Sequence, residues 1–180
     1  MELRNLVEPT SSVVVTMEVQ EGIIGESSAF QDLHNAAVSS GVLSNGPDLC
    51  TAARQRGVPV IHAMAINRND YRCSVSNCLM LSDSKDMHER GSGIIEGTKG
   101  AELVDVIGPE PEDISIPRLH GLTPFTSTSL DQTIRNLGAS TIIPIGVSIN
   151  IGKQSGLLLD VNLIPSDMWK TQFRCWTRDR

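Results

Sequence analysis

Asp113 to Leu163 reads DISIPRLHGLTPFTSTSLDQTIRNLGASTIIPIGVSINIGKQSGLLLDVNL, and within it a strand-like run feeds a helix-like run twice. The first such run is Ile114 to Pro117 and the second is Thr141 to Val147. Strand, turn and helix at this spacing build parallel strands, and in such sheets ligands sit where strand C-termini meet helix N-termini. The stretch therefore predicts an α/β fold: a three-layer α/β/α arrangement around a mostly parallel, Rossmann-like sheet. Its second turn, Gly146-Val147-Ser148-Ile149-Asn150-Ile151-Gly152, is the expected centre of a cleft.

Local chemistry fills in the stretch. Thr128 is placed to cap a helix that carries Leu130, Ile134 and Leu137 on one face and stops at Gly138. Pro144 is awkward in a strand, because a proline removes one ladder hydrogen bond. Asn150 can cap a further helix running to about Leu163, with Leu157, Leu158 and Val161 inward. From Ile164 onward the pattern degrades. Residues 164–180 are an atypical tail, as expected if the reading frame or exon changes there or the end is trimmed. The C-terminal strands of the sheet are then altered or missing, and an exposed edge invites pairing with another chain.

Upstream, the β-branched run Ser12-Val13-Val14-Val15-Thr16-Met17 predicts a buried first strand. It ends in Glu18-Val19-Gln20, which puts an acid and an amide at its C-terminal tip. A loose helix is expected from Gln31, interrupted at Gly41, and a better one from Pro47 to Gln55 with Gly57 as its stop. Val58 to Met64 reads as the second strand. Asn67 to Lys99 shows no period and is expected to wrap the surface as a loop with short helical turns, while Glu102 to Ile107 is a helical turn or a short extended piece.

Composition sets the class. With 180 residues, 39% apolar and 20% charged, the chain is expected to fold as one soluble domain, residues 1–180. A net charge of −6 argues against a nucleic-acid surface, and the basic end from Arg174 to Arg180 is a solvated tail. No apolar run reaches the roughly 18 residues of a membrane span, and a cytoplasmic location is expected. Cys50, Cys73, Cys78 and Cys175 form no Cys-x-x-Cys pair and are expected as reduced thiols. His34, His62, His88 and His120 lie far apart, so neither a metal nor a cofactor is expected. His62, on an apolar strand, reads as a core histidine with a hydrogen-bond partner, and His88 as part of a solvated charged face.

Three segments together resemble the isochorismatase-like hydrolase superfamily, which includes cysteine hydrolases related to nicotinamidases. They are Val13 to Gln20, Thr123-Pro124-Phe125-Thr126-Ser127-Thr128-Ser129-Leu130, and Gly146 to Gly152, in family order within about residues 10–163. The resemblance implies a parallel sheet between helical layers, a small-molecule substrate and a homo-oligomer. The cysteine hydrolases use an aspartate at the first strand's tip, a lysine before the Ser-x-Phe-like turn and a cysteine opening the helix after the fourth strand, and each position differs here. Those positions fall on Glu18, Leu119 and Gly152. Arg118 and His120 flank the missing lysine: the arginine can hold an anion, and the histidine can move a proton.

Glycine at 152 closes the covalent thioester route. The resemblance still leaves chemistry open, since the isochorismatase branch also has glycine there and cleaves a vinyl ether by protonation and water attack, although that branch keeps the lysine. The expected catalytic residues are Glu18, Arg118 and His120. The expected substrate contacts are Gln20, Phe125, Ser148, Asn150, Ile151 and Gly152, the last two as backbone amides at a helix N-terminus. Ser148 sits in a turn like a nucleophile elbow, but the motif's final glycine is absent and no Asp-then-His follows. Glu18 has a plainer reading as a strand-tip carboxylate paired with Arg118, and the whole chain has one as a catalytically inactive member that binds a ligand or builds an oligomer.

Overall fold

The structure, a computed structural model, describes residues 7–147 except 75 and 77, together with the backbone of 176 and 177. Strand β1 (Ser12–Met17) is buried on both faces except at its last residue, as a continuous Val run demands. After it come α1 (Glu21–Ile24), α2 (Gln31–Ser39), α3 (Val42–Gln55), β2 (Val60–Ala65), α4 (Leu79–Glu89), β3 (Ile114–Arg118), α5 (Leu130–Asn136) and β4 (Thr141–Gly146). A two-residue β5 (Trp176–Thr177) follows. The sheet order is β3-β2-β1-β4-β5. The first four strands are parallel and β5 pairs antiparallel with the start of β4.

Alternation along the strands sorts the core into two layers. Val14, Val60 and Ile145 meet Cys50 and Ala53 of α3 on one face. Val13, Val15, Ile61, Ala63, Ile116 and Ile142 meet Leu130 and Ile134 of α5 on the other. The result is the three-layer α/β/α arrangement. Among the described residues, no helix is long and apolar enough to cross a membrane.

Several boundaries differ from the sequence reading, each for a physical reason. Helix α3 begins at Val42 and carries Pro47 inside its second turn, so the proline does not open it. Gly41, in the left-handed region at φ 78°, ends the preceding turn and lets α3 restart at once. The stretch expected as loop contains the eleven-residue α4, none of whose residues is buried. With Leu79 80% exposed, the helix has no apolar stripe for a sequence reading to detect. Two 3-10 turns, Lys99–Ala101 and Asp105–Ile107, bracket Leu103, which bridges to Gln20. Strand β2 starts at Val60 rather than Val58, and β3 runs on through Arg118. The expected helix from Asn150 to Leu163 lies outside the described residues, as does the tail apart from the backbone of 176–177.

At the C-terminal ends of the strands β1 and β4 pinch together. A Cβ on Gly146 would stand 2.2 Å from the carbonyl oxygen of Met17, and its φ is 130°. Gly146→Ala therefore meets a backbone clash and a strained torsion together, whereas Gly57→Ala, at φ 70° with nothing within 4 Å, meets only the torsion. Urea denaturation should show about 1–2 kcal/mol lost at position 57 and at least about 2 kcal/mol at 146. Equal losses would show that the pinch is not rigid.

Candidate functional site

The tip of β1 turns sharply. Glu18 adopts φ 54°, a left-handed conformation rare for a residue with a side chain. Its N–H donates to the carbonyl of Ala63 at 2.9 Å, which holds the turn against β2. Arg118 ends β3 in register with Ala65, and its carbonyl accepts from the N–H of Ile66 at 2.9 Å. These two tips, on strands either side of β2, bring the charged side chains together. Arg118 Nη2 donates to Glu18 Oε1 at 2.6 Å, with the arginine residue only 8% exposed. The contact is a short charge-assisted hydrogen bond, and its shelter from water strengthens the Coulomb attraction while adding a desolvation cost.

The other expected site residues fall in different places. Gln20 is 0% exposed. Its amide nitrogen donates to the carbonyls of Ala65 and Ala101 at 2.8 and 2.9 Å, and its oxygen accepts from the N–H of Ala65 at 2.8 Å. Rather than a substrate contact, then, it is an internal clamp that fastens β1 to the end of β2. His120 lies exposed two residues past the end of β3, outside the contact between Glu18 and Arg118. Phe125 packs half-buried against the core on the α5 face. Its loop is folded by a hydrogen bond from the N–H of Phe125 to Thr123 Oγ1 at 3.3 Å and by donation from Thr128 Oγ1 to the Pro124 carbonyl. Thr128 also accepts from the N–H of Leu130 at 3.2 Å, but it is not the cap the sequence suggested: the N-cap of α5 is Ser129, with no side-chain capping bond. Ser148, Asn150, Ile151 and Gly152 lie outside the described residues. Among the described residues, no group of three or more His, Cys, Asp and Glu could hold a metal ion.

A second polar array, beyond its histidine not anticipated from the sequence, crosses the same strands lower down. His62 is 0% exposed. Its Nδ1 lies 2.7 Å from Thr16 Oγ1 on β1, and its Nε2 lies 3.1 Å from Asp113 Oδ2 just before β3. Arg54 of α3 grips the same carboxylate through Nε at 3.1 Å and Nη2 at 2.6 Å, and the Glu110 amide donates to it at 2.9 Å. Because a carboxylate surrounded by donors only accepts, His62 carries its proton on Nε2 and takes the Thr16 hydroxyl hydrogen at Nδ1. Burial pushes the His62 imidazole below its ordinary range, against the pull of Asp113. Burial alone would raise Asp113, but Arg54, the Glu110 amide and His62 together hold its carboxyl below the usual value. Nearby, burial lifts the Cys50 thiol to about 11, too high for it to act as a nucleophile at neutral pH. The signal in the sequence was a histidine inside an apolar strand, but its partners lie 46 and 51 residues away and follow only from the strand register.

Comparison with known proteins finds a matching family model and similar folds. A family model described as the isochorismatase domain matches residues 12–158. The ureidoacrylate amidohydrolase RutB of Pseudomonas syringae pv. syringae (strain B728a) is 28% identical over 159 residues, covering 82% of this chain and 63% of the relative. RutB of Agrobacterium fabrum (strain C58) is 27% identical over 165 residues, covering 83% and 69%. The chain thus spans a little under two thirds of the first of these relatives. Among solved structures, a cysteine hydrolase from Pseudomonas syringae pv. phaseolicola 1448A superposes with a TM-score of 0.66 at 20% identity, covering 83% of this chain and 65% of that one. N-carbamoylsarcosine amidase from Thermoplasma acidophilum superposes with 0.57 at 18% identity, covering 82% and 76%.

The buried array fixes a pH dependence of stability. A histidine whose folded pKa lies below its unfolded value of about 6.5 is protonated first in the unfolded chain, so stability falls as pH drops from about 6.5 toward the folded value. Asp113, also depressed, contributes stability that is present above about 3.8 and lost as pH falls through its folded value. Urea midpoints should therefore be flat from pH 8 to 7 and decline below about 6.5, with the early decline missing in His62→Gln. A wild-type midpoint that rises between pH 7 and 5.5 would contradict the burial of a neutral imidazole.

Proposed function

The chain belongs to the isochorismatase family, and from that membership we propose that it hydrolyses a small anionic or carbonyl-containing metabolite by non-covalent acid/base chemistry. The observation that carries the reading is the contact between Glu18 and Arg118 at the C-terminal tips of β1 and β3, where parallel sheets put their chemistry. Glu18 moves the proton. Arg118, whose planar fork matches carboxylate geometry, holds an anionic group of the substrate while keeping Glu18 aimed. His120, exposed beside the tip, is the second proton carrier or anion contact. Phe125, Ser148, Asn150, Ile151 and Gly152 make the remaining substrate contacts.

The resemblance puts Gly152 where the family's cysteine hydrolases carry their thiol, which is why water rather than a side chain is the nucleophile in this scheme. The relatives' name supports the substrate class, since ureidoacrylate carries both a carboxylate and a carbonyl group. In this reading the protein needs no cofactor or metal and works as a cytoplasmic homo-oligomer that does not engage nucleic acid. A second reading, a catalytically inactive member that binds a ligand or builds an oligomer, is favoured by the same ion pair in another light: the carboxylate already has a cation as its partner.

A thermal-shift panel of ureido acids, N-carbamoyl amino acids and vinyl-ether carboxylates, with product analysis on every hit, separates the two. Turnover is expected for at least one binder, and Glu18→Gln should lower it about 100-fold or more while the fold survives. Undiminished turnover in that variant would end the assignment of Glu18. Binding without product would favour the inactive reading.

A further inference from the structure

His62 joins the two strands whose tips carry the ion pair. Strand β2 lies between β1 and β3, and the imidazole reaches Thr16 on one side at 2.7 Å and Asp113 on the other at 3.1 Å. Thr16 stands two residues before Glu18, whose N–H is bonded to Ala63, the residue after His62. Asp113 stands at the foot of the strand that ends in Arg118. One ring therefore ties the end of β1 and the foot of β3 to the strand between them.

We propose that His62 is a positioning residue for the site formed by Glu18 and Arg118: in its neutral form with the proton on Nε2 it sets β1 and β3 in register against β2, and its protonation loosens the pair at the tips. This rests on reading the tips as the working site and adds a regulation of that site by pH. The mechanism is a hydrogen-bond mismatch. A protonated imidazole donates from both nitrogens, so the Thr16 hydroxyl must reverse from donor to acceptor. Its own hydrogen then needs another acceptor inside a strand where Thr16 is 0% exposed.

The groups facing His62 set how sharply this happens. From the foot of β3 come the Asp113 carboxylate and the Glu110 amide bonded to it. From α3 come Arg54, bonded to the same carboxylate, and the Cys50 thiol, which burial keeps uncharged. From β1 comes only the Thr16 hydroxyl. Asp113 favours the imidazolium, whereas Arg54 and burial oppose it. Thr16 is the one partner whose bond must invert.

The test uses the whole chain, labelled with 15N, and no substrate. At pH 7.5 the His62 ring nitrogens should report the Nε2–H tautomer. On acidification the Arg118 Nε signal should move with the same midpoint as the His62 ring, below the ordinary histidine value of about 6.5. Thr16→Val should show the acid-form Arg118 signal already at pH 7.5, and Thr16→Ser should restore the neutral-form signal. An Nδ1–H tautomer, a His62 titration that leaves Arg118 unmoved, or a folded Thr16→Val with the wild-type Arg118 signal would each overturn the proposal. Should Thr16→Val fail to fold, the wild-type titration decides alone. Coupled signals in a protein inactive on every substrate would sustain this inference and remove only the hydrolase reading, while uncoupled signals in an active enzyme would do the reverse.

Discussion

A strand buried on both faces has no water to meet its polar groups, so the hydroxyl of Thr16 on β1 must be met by protein. It is met by His62, which then needs a second partner and finds Asp113, which in turn needs cations and donors and finds Arg54 and the Glu110 amide. Each step hands an unsatisfied group to the next until Arg54, with its side chain one fifth exposed at 20%, returns the chain of demands to solvent. The array ties three strands and one helix together from near the C-terminal end of β1 to the foot of β3. The strand ends are thus placed before any side chain at the tips comes into contact.

How much of this was legible depends on the range over which each feature is determined. The strands were legible because an unbroken Val13-Val14-Val15 run has only one comfortable home, a strand covered on both faces. Helix α5 was legible because its Leu130 and Ile134 stripe and its stop at Gly138 lie close together in sequence, although its N-cap falls on Ser129 and not on Thr128. Helix α4 was not, since its charged and exposed surface leaves no periodic trace, and the start of α3 was hidden because Pro47 reads as a beginning. At the site, the pairing of Glu18 with Arg118 could be read as an alternative, because both sit at the C-terminal ends of strands predicted to run parallel. The commitment of Gln20 to the backbone and of Asp113 to His62 could not. Both depend on register across tens of residues, and a shift by one position would have turned the same side chains to the other face.

One of the strained positions of the described fold, beside Tyr71, Cys73 and Ser127 elsewhere, lies where the charges are. Glu18 holds a left-handed backbone at φ 54°, a conformation that costs a residue with a Cβ about 1–2 kcal/mol. It persists because the surroundings over-determine it. The Ala63 carbonyl holds its N–H, Gln20 anchors the chain two residues on, and Gly146 lets the neighbouring strand press against Met17 without a side chain in the way. A simple end to the strand would have cost less. The extra constraint makes sense if the direction of the Glu18 carboxylate matters, which is the step from an observed outlier to a reading of function.

A competing location for function is the hollow of about 670 Å³ at the opposite end of the sheet, lined by Thr51, Arg54, Val58, Glu110, Asp113 and Leu137 among others. It is roomy, but its charged lining argues against it. Arg54 and Asp113 are bonded to each other in a two-point grip, so a ligand would have to break a sheltered ion pair and orphan His62 to use either. The hollow also lies at the N-terminal ends of β2 and β3, away from the edge where successive βα turns bring loops together. At the tips, among the described residues, the hydrogen bond from Arg118 to Glu18 engages one of the guanidinium's nitrogens, Nη2. A planar group with five N–H donors that spends one on positioning its acid still has the form of an anion receptor, and that asymmetry between the two ends of the sheet favours the proposed site at Glu18 over the hollow.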